Sequence, residues 1–566
     1  MHPCNLPFFR SRPDFLARIA NAPDAYRIEL SKSGAPVPVR ASDGKWLGSR
    51  YDPAREAARW LESQPISRGD LPVLFGLSPA HLRIISARPL LVVERDASLV
   101  KAVLEEIDLG GVLDGVTIIL DDDGFRMMSA IRNAQDPFRH LRVRILASPY
   151  ADDEKWIRRL ASSALDIQRE MSLNALSYAH HFPIWMQTVR SNLEAWASSP
   201  DASGIMNALA GETAVVVAAG PSLDRNVADL ALVKGKAIII AVDTALRKLD
   251  AAGIVPDIAV AVDANHANSL DVVGLSPEAR SAMLFVDHIA SPEIIEAFTG
   301  PKAFLRTVNY TYDIEDKPVR MVTPLDRLLA EIAGREDLFS WQSGGSVSTN
   351  AFSLAHILGA GRVIMVGQDL AYTDGRSHAR GVGYEDDAAR GISRFRGREM
   401  VNRVFTANGD VLVDAWDGGK ARTSTVLREY LHWYEMTMER GYGRTFSEVI
   451  DATEGGARKK GMMPMRLRDA AKLLGSVTDP AGKIRGILER AGPIVRPGWR
   501  ERTRAIADRA GVLAKTPERI ADELPMARWI ALPAYIGGAD LPEEQRDALV
   551  LAALRSSAEF LAKVWS

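Results

Sequence analysis

Between Thr213 and Asp369 the chain carries six short apolar runs: TAVVVAAG, KAIIIAVD, DIAVAVDAN, AMLFVDH, KAFLRTVN and RVIMVGQD. Several are too continuously apolar for a sheet with one wet face. They predict a largely parallel sheet covered by helices on both sides, over about 211–460. At roughly 150 residues per domain, the 566 residues hold three or four domains. Before the central segment, LPVLFGLS, RPLLVVER and VTIILDDD alternate with helical patterns and predict an N-terminal α/β domain over 1–150. Spacings of three and four predict a helical connector over 151–210, and strand signals fade into a helical domain over 461–566. A local excess of basic residues between Gly456 and Pro525 reads as a solvated helix surface or a docking face.

Composition closes off other classes. Apolar residues at 47% and charged residues at 25% exclude disordered and collagen-like chains. A net charge of −2 supplies no global field for nucleic acid or an anionic membrane. The single cysteine, Cys4, excludes an intramolecular disulfide and argues against a thiolate metal cluster, as expected in reducing cytosol. No run of 18 apolar residues escapes a charge, and the first residues lack a signal-like apolar core, so a cytoplasmic protein without a membrane span is expected. Glu94, ending a strand, invites a ribose-binding reading, but VLFGLSPAH lacks the three glycines of the phosphate fingerprint.

Polar residues gather where the central strands end. VVVAAGPSLDRN at 215–226 reads as a strand feeding a tight turn. Gly220 leaves room for a ligand, Pro221 opens a helix, and Ser222 with the following amides faces an anion. Further strands end in Asp243 and Thr244, in Asp263, Asn265 and His266, and in Gln368, Asp369, Tyr372 and His378. Such carboxylates and amides suit sugar hydroxyls and base edges at the carboxyl edge of a parallel sheet. The loop Gly344, Gly345, Ser346 precedes another helix and offers a second contact for nucleotide or carboxylate. After Tyr372 a glycine- and charge-rich stretch suits a mobile lid carrying His378, Arg380, Tyr384 and Arg396. No D-x-D pair is present, although Asp243 and Asp263 could share a metal; metal dependence stays open.

The AAGPSLD turn, the block GGSVSTNAFSLAHILGAGRVIMVGQDLAYTDGRSHA and DATEGGARKKG at 451–461 resemble the motility-associated factor (Maf) flagellin glycosyltransferases. The resemblance implies a Rossmann-like central domain similar to bacterial sialyltransferases, a GT-A variant. It implies a cytoplasmic enzyme that moves pseudaminic or legionaminic acid from a CMP-activated donor to Ser or Thr hydroxyls of flagellin. No cofactor is required on this reading, with room for Mg2+. Gly220, Pro221 and Ser222 would lie near the donor phosphate, and Gly344, Gly345 and Ser346 near the cytidine or its ribose. Gln368, Asp369 and Tyr372 would line the sugar pocket, and Thr453, Glu454 and Gly455 would close it. Where the sialyltransferase pattern has its catalytic histidine this chain has Arg422-Thr423-Ser424, so His378 is the candidate base and Asp369 competes for the role. Departure of CMP builds oxocarbenium character, and a single displacement inverts the anomeric carbon. Two other readings stand beside this one: a diphosphotransferase resembling the 6-hydroxymethylpterin pyrophosphokinases, and a non-catalytic flagellin-binding chaperone.

Overall fold

Short β-branched runs set the strands in both halves of the chain. The computed structural model describes residues 1–67, 69–134, 142–315, 317–383, 411–440, 446–475, 479–523, 525–531 and 543–565. Two compact units result. One comprises Met1–His181, Tyr310–Met321 and Leu513–Ala558, the other Phe182–Asn309, Val322–Val512 and Glu559–Ser566. This grouping differs from the four consecutive segments drawn from composition, because compaction follows contact rather than chain order.

In the first unit β1 (Tyr26–Leu30) and β2 (Pro36–Arg40) form an antiparallel hairpin. The strands β3 (Asp70–Phe75), β4 (Leu90–Glu94), β5 (Val116–Leu120) and β6 (Arg142–Ala147) form a parallel sheet in the order β5-β4-β3-β6. Every residue of β3 and β4 is buried, which is why their sequences run apolar instead of alternating. The helix Ala97–Glu106 starts where Asp96 accepts a hydrogen bond from the Ser98 N–H, and it buries Val100, Val103 and Leu104 in the core with Val92 and Ile118. Glu94 is buried and accepts from the N–H groups of Leu77, Arg95 and Asp96. It ties down its own turn, so its oxygens are not presented to a ribose.

In the second unit the six apolar runs supply β7 (Thr213–Val217), β8 (Ile238–Val242), β9 (Ile258–Ala261), β10 (Met283–Val286), β11 (Lys302–Phe304) with the start of β12 (Arg306–Tyr312), whose residues from Tyr310 on belong to the first unit, and, later, β15. Of the strands between, β13 (Pro318–Met321) falls in the first unit, and β14 (Ser340–Gln342) pairs with Arg306–Val308 of β12. Then come β15 (Arg362–Val366), the antiparallel pair β16 (Val411–Asp414) and β17 (Lys420–Thr423), and two strands not foreseen, β18 (Glu448–Asp451) and β19 (Met463–Pro464). The eight-stranded sheet has the order β11-β10-β9-β8-β7-β15-β18-β19, with every neighbouring pair parallel. The helix Val347–Ile357 packs on β7, β8 and β9. From β7 the chain winds outward through β8 to β11, then returns to β15 on the other side. Strand order therefore reverses between β7 and β15, and the crevice beyond their carboxyl ends is where such sheets take ligands.

The connector read over 151–210 is largely one helix of 44 residues, Glu154–Ala197, with Pro183 inside it. Part of the basic excess of the later segment is paired within the second unit: Arg468 with Asp229, Arg500 with Glu194 and Arg509 with Glu331. Among the described residues no helix is long and apolar enough to cross a membrane.

Candidate functional site

The turn after β7 is built around one carboxylate. Asp369, just past β15, is 2% exposed and accepts the Ser222 hydroxyl at 2.6 Å, the Ser222 N–H at 3.2 Å and the Thr373 hydroxyl. A Cβ on Gly220 would stand 2.0 Å from Asp369 Oδ1 and 2.4 Å from the Gly367 carbonyl, so glycine is required by the protein's own packing. Gly367, with φ of 67°, would likewise drive a Cβ to 2.2 Å from the Ala218 carbonyl. A Cβ on Gly456 would stand 2.2 Å from the Asp369 carbonyl oxygen, which accepts the Ala457 N–H at 2.7 Å.

This packing corrects the anion cradle expected at Gly220, Pro221 and Ser222. Gly220 N donates to the Gly367 carbonyl, Ser222 N to Asp369, and the N–H groups of Leu223, Asp224 and Arg225 to the carbonyls of Gly220, Pro221 and Ser222. Ser222 is fully buried and the helix it opens is only four residues long. The turn is scaffold, with its donors already engaged. Both Asp369 oxygens, named as those of a competing base, are held by internal donors, the Ser222 N–H and hydroxyl and the Thr373 hydroxyl. Burial raises the Asp369 carboxyl above the ordinary range, although Ser222, Thr373 and Lys459 favour its charged form.

Around this clamp the strand ends converge. Gly455 comes within contact of Ser222 and Asp369, which brings Thr453, Glu454 and Gly455 to the same junction. Glu454 Oε1 accepts from Asn226 Nδ2 and from the Leu467 N–H. The Tyr372 N–H donates to the Arg422 carbonyl and the Thr423 hydroxyl to the Leu370 carbonyl, so Arg422-Thr423-Ser424 lies beside Leu370–Tyr372. Asp224 accepts from Lys248 at 2.8 Å, Arg376 at 2.6 Å and the Arg380 N–H. His378 is half-buried beside the Ser377 hydroxyl, and desolvation lowers its pKa to about 4, so it is neutral at pH 7. Tyr384 and Arg396 lie outside the described residues. Among the described residues five non-glycine residues have positive φ, and three of them, Leu370, Asp374 and Glu454, sit at this junction; such strained residues cluster at functional sites.

Neighbouring carboxylates form a second group. Asp243 is buried at the end of β8, where Thr244 donates its N–H to it; Asp263 and Asn265 are exposed beyond β9. Sequence reading missed Asp271, which stands alone in NSLDVVG without a motif. Burial and then the charges of Asp271 and Asp263 push Asp243 well above the ordinary carboxyl range. Burial raises Asp271 to about 7, against the opposing effects of Gly383, Arg247 and Thr244. A third group is the Gly344–Ser346 loop. Gly344 packs against the Trp433 ring and Gly345 against Tyr430, whose phenol is raised by burial and by the charge of Asp263. Ser346 and Ser348 hydroxyls bond each other at 2.7 Å at the start of the helix Val347–Ile357.

Buried oxygens without a hydrogen-bond partner cluster along this edge: Asn226 Oδ1, Asp243 Oδ2, Asp271 Oδ1, Gln368 Oε1 and Thr453 Oγ1. An unmet buried polar atom costs about 1–3 kcal/mol, so this edge of the sheet carries an energetic penalty that partners for these atoms would relieve.

Asp271 gives the site a pH signature. A carboxyl whose folded pKa is raised binds a proton more readily in the native state, so its contribution to stability is lost as pH climbs from 3.8 to about 7. The second unit is expected to unfold at lower urea at about pH 8 than at about pH 5.5, and Asp271→Asn is expected to flatten that difference. Equal slopes in both proteins would exclude Asp271 as its source.

Residues 187–375 match the family described as 6-hydroxymethylpterin diphosphokinase MptE-like. No curated protein matches the chain in sequence. A solved structure titled as a MAf glycosyltransferase from Magnetospirillum magneticum AMB-1 superposes with a TM-score of 0.61 at 15% identity, covering 99% of this chain and 94% of that one. The chain therefore has the fold of a Maf glycosyltransferase along nearly its whole length and carries within it an MptE-like domain.

Proposed function

We propose that this protein is a glycosyltransferase that moves a nonulosonic acid, pseudaminic or legionaminic acid, from its CMP-activated form to Ser or Thr hydroxyls of flagellin. The observation that carries the reading is the likeness to a Maf glycosyltransferase across 99% of the chain, with the polar crevice at its β7–β15 reversal. On this reading the unmet polar atoms of Gln368, Thr453 and Asn226 pair with donor hydroxyls and amino groups, and the Gly344–Ser346 loop contacts the nucleotide. Neutral His378 accepts the proton of the attacking hydroxyl. That oxygen bonds to the anomeric carbon as the bond from carbon to the CMP phosphate oxygen breaks, and the configuration inverts. Asp369 acts as a positioning residue, holding the turn that shapes the pocket, and Tyr372 lines the sugar side.

Incubation with unmodified flagellin and either CMP-sugar is expected to raise the intact flagellin mass in steps of one sugar residue. No step with either donor would sink the reading. His378→Ala is expected to lower kcat about 100-fold or more while the donor KM changes little; a wild-type rate would remove His378 as the base.

The MptE-like match favours one second reading, diphosphate transfer from ATP with Mg2+. Asp243 Oδ2 and Asp271 Oδ1 fit the habit of Mg2+, which takes one or two carboxylates and completes its shell with phosphate and water. Thermal stabilisation by ATP with Mg2+ and none by CMP would select it.

A further inference from the structure

Far along the sequence from the crevice, the first unit brings together three unlike metal-ligating groups. His2, Cys4 and Asp108 each offer one ligand atom, and these atoms all lie within 4.8 Å of one another. We propose that His2, Cys4 and Asp108 form a binding site for a divalent transition-metal ion of the Zn2+ class.

The cluster is held by built structure. Asn5 is fully buried; its Nδ2 donates to the carbonyls of Leu104 at 3.0 Å and Ile107 at 2.7 Å, and its Oδ1 accepts from the Leu109 N–H at 2.9 Å. His2 N donates to the Leu104 carbonyl at 2.8 Å. These four bonds bracket Cys4 and fasten His2–Asn5 onto Leu104–Leu109, where the helix Ala97–Glu106 ends. Gly110 completes the fit, since a Cβ there would meet Cys4 Cβ at 2.9 Å. Asp108 is oriented by the Gly110 N–H, which donates to its Oδ1 at 3.0 Å, as ligating carboxylates are in metal sites. The Cys4 N–H reaches His2 Nδ1 at 3.4 Å, a long contact that yields readily to a metal–nitrogen bond.

The donor set selects the ion. A thiolate with imidazole suits Zn2+ and its neighbours and disfavours Mg2+ or Ca2+, which take oxygen alone. Thiolate and carboxylate together neutralise a dication. A thiol ligates as the thiolate, so binding displaces the Cys4 proton to solvent. Bonds of about 2.0–2.3 Å in a tetrahedron place ligand atoms roughly 3.3–3.8 Å apart, so the cluster closes by about 1 Å on loading. Cys4 and Asp108 are exposed, which leaves the fourth position to water. The sequence hides the site because Asp108 stands 104 positions from Cys4 and only the fold brings them together.

Cys4 is the only thiol in the chain, so thiol chemistry on the full-length protein reads this site alone. One equivalent of Zn2+ is expected to slow alkylation of Cys4 at least about tenfold, and Co2+ to give a thiolate-to-metal charge-transfer absorption that Cys4→Ser abolishes. Asp108→Asn, at an exposed position, is expected to weaken Co2+ binding at least about tenfold. Alkylation unaffected by Zn2+, Co2+ bound without that absorption, or wild-type affinity in Asp108→Asn would each overturn the proposal.

Discussion

Replacing Lys459 with methionine is expected to destabilise the second unit by about 3–5 kcal/mol, the cost of leaving a buried charge without its partner. The Lys459 ammonium is fully buried and sits 2.9 Å from Asp451 Oδ2, itself 2% exposed. It also donates to the Ala457 carbonyl. Asp451 ends β18, and through it the pair holds the wall of the crevice: its Oδ1 accepts the Thr453 N–H, while its carbonyl accepts the Trp416 indole N–H and the Met465 N–H. Methionine fills the volume but leaves Asp451 to take up a proton or draw in water. Either response loosens Thr453–Gly455. Amide exchange in Glu448–Asp451 is the appropriate measurement, because a chain of two units need not unfold in one step. Lys459→Met with Asp451→Asn is expected to recover part of the loss, since the second change removes the stranded charge. A single variant costing under about 1 kcal/mol, or a cycle without coupling, would refute the pair's structural role.

Gly220→Ala is expected to abolish the proposed transfer activity and donor binding while leaving the first unit folded. The new Cβ would lie 2.0 Å from Asp369 Oδ1 and 2.4 Å from the Gly367 carbonyl, distances that require a neighbour to move. Neither yields cheaply. Asp369 is fixed by Ser222 and Thr373, and the Gly367 carbonyl accepts the Gly220 N–H at 2.8 Å. Overpacking of this kind costs about 1–3 kcal/mol or more, and here the strain falls on the residues that align the ends of β7, β15 and β18. Asp369→Ala added to Gly220→Ala is expected to restore stability only in part, since the clash with Gly367 remains. Gly492→Ala serves as control, because a Cβ there meets nothing within 4 Å. Measured donor affinity within twofold of wild type in Gly220→Ala would show that the turn has no part in the site.

The sheet was legible because its signal is local. Val, Ile and Ala runs such as VVV at 215–217 and III at 238–240 announce strands buried on both faces, and six of the eight central strands follow from that pattern alone. β18 escaped because EVID is four residues with two charges, and its inward residues declare themselves only beside β15. β19, two exposed residues, has no local signal. The carboxyl edge was legible too: Asp243, Gln368 and Asp369 stand just past the ends of β8 and β15, whereas Thr453 and Glu454, just past β18, were reached only through the family resemblance.

What each of those residues does at the edge was decided elsewhere. Gly220 looked like room for a ligand and is room for Asp369; Ser222 looked like a donor to phosphate and is a donor to Asp369, 147 positions away. Of the adjacent Lys459 and Lys460, one is fully buried and the other exposed, with no periodicity to separate them. Asp271 acquires its raised pKa from burial that no neighbouring residue in NSLDVVG foretells. By itself the sequence determined six of the eight central strands, their parallel packing and the edge where their polar residues gather, because apolar periodicity and turn residues act over a few positions. The tertiary structure alone decided which polar atoms are already partnered and which remain open, because partners separated by a hundred residues or more meet only through the strand order of the closed sheet.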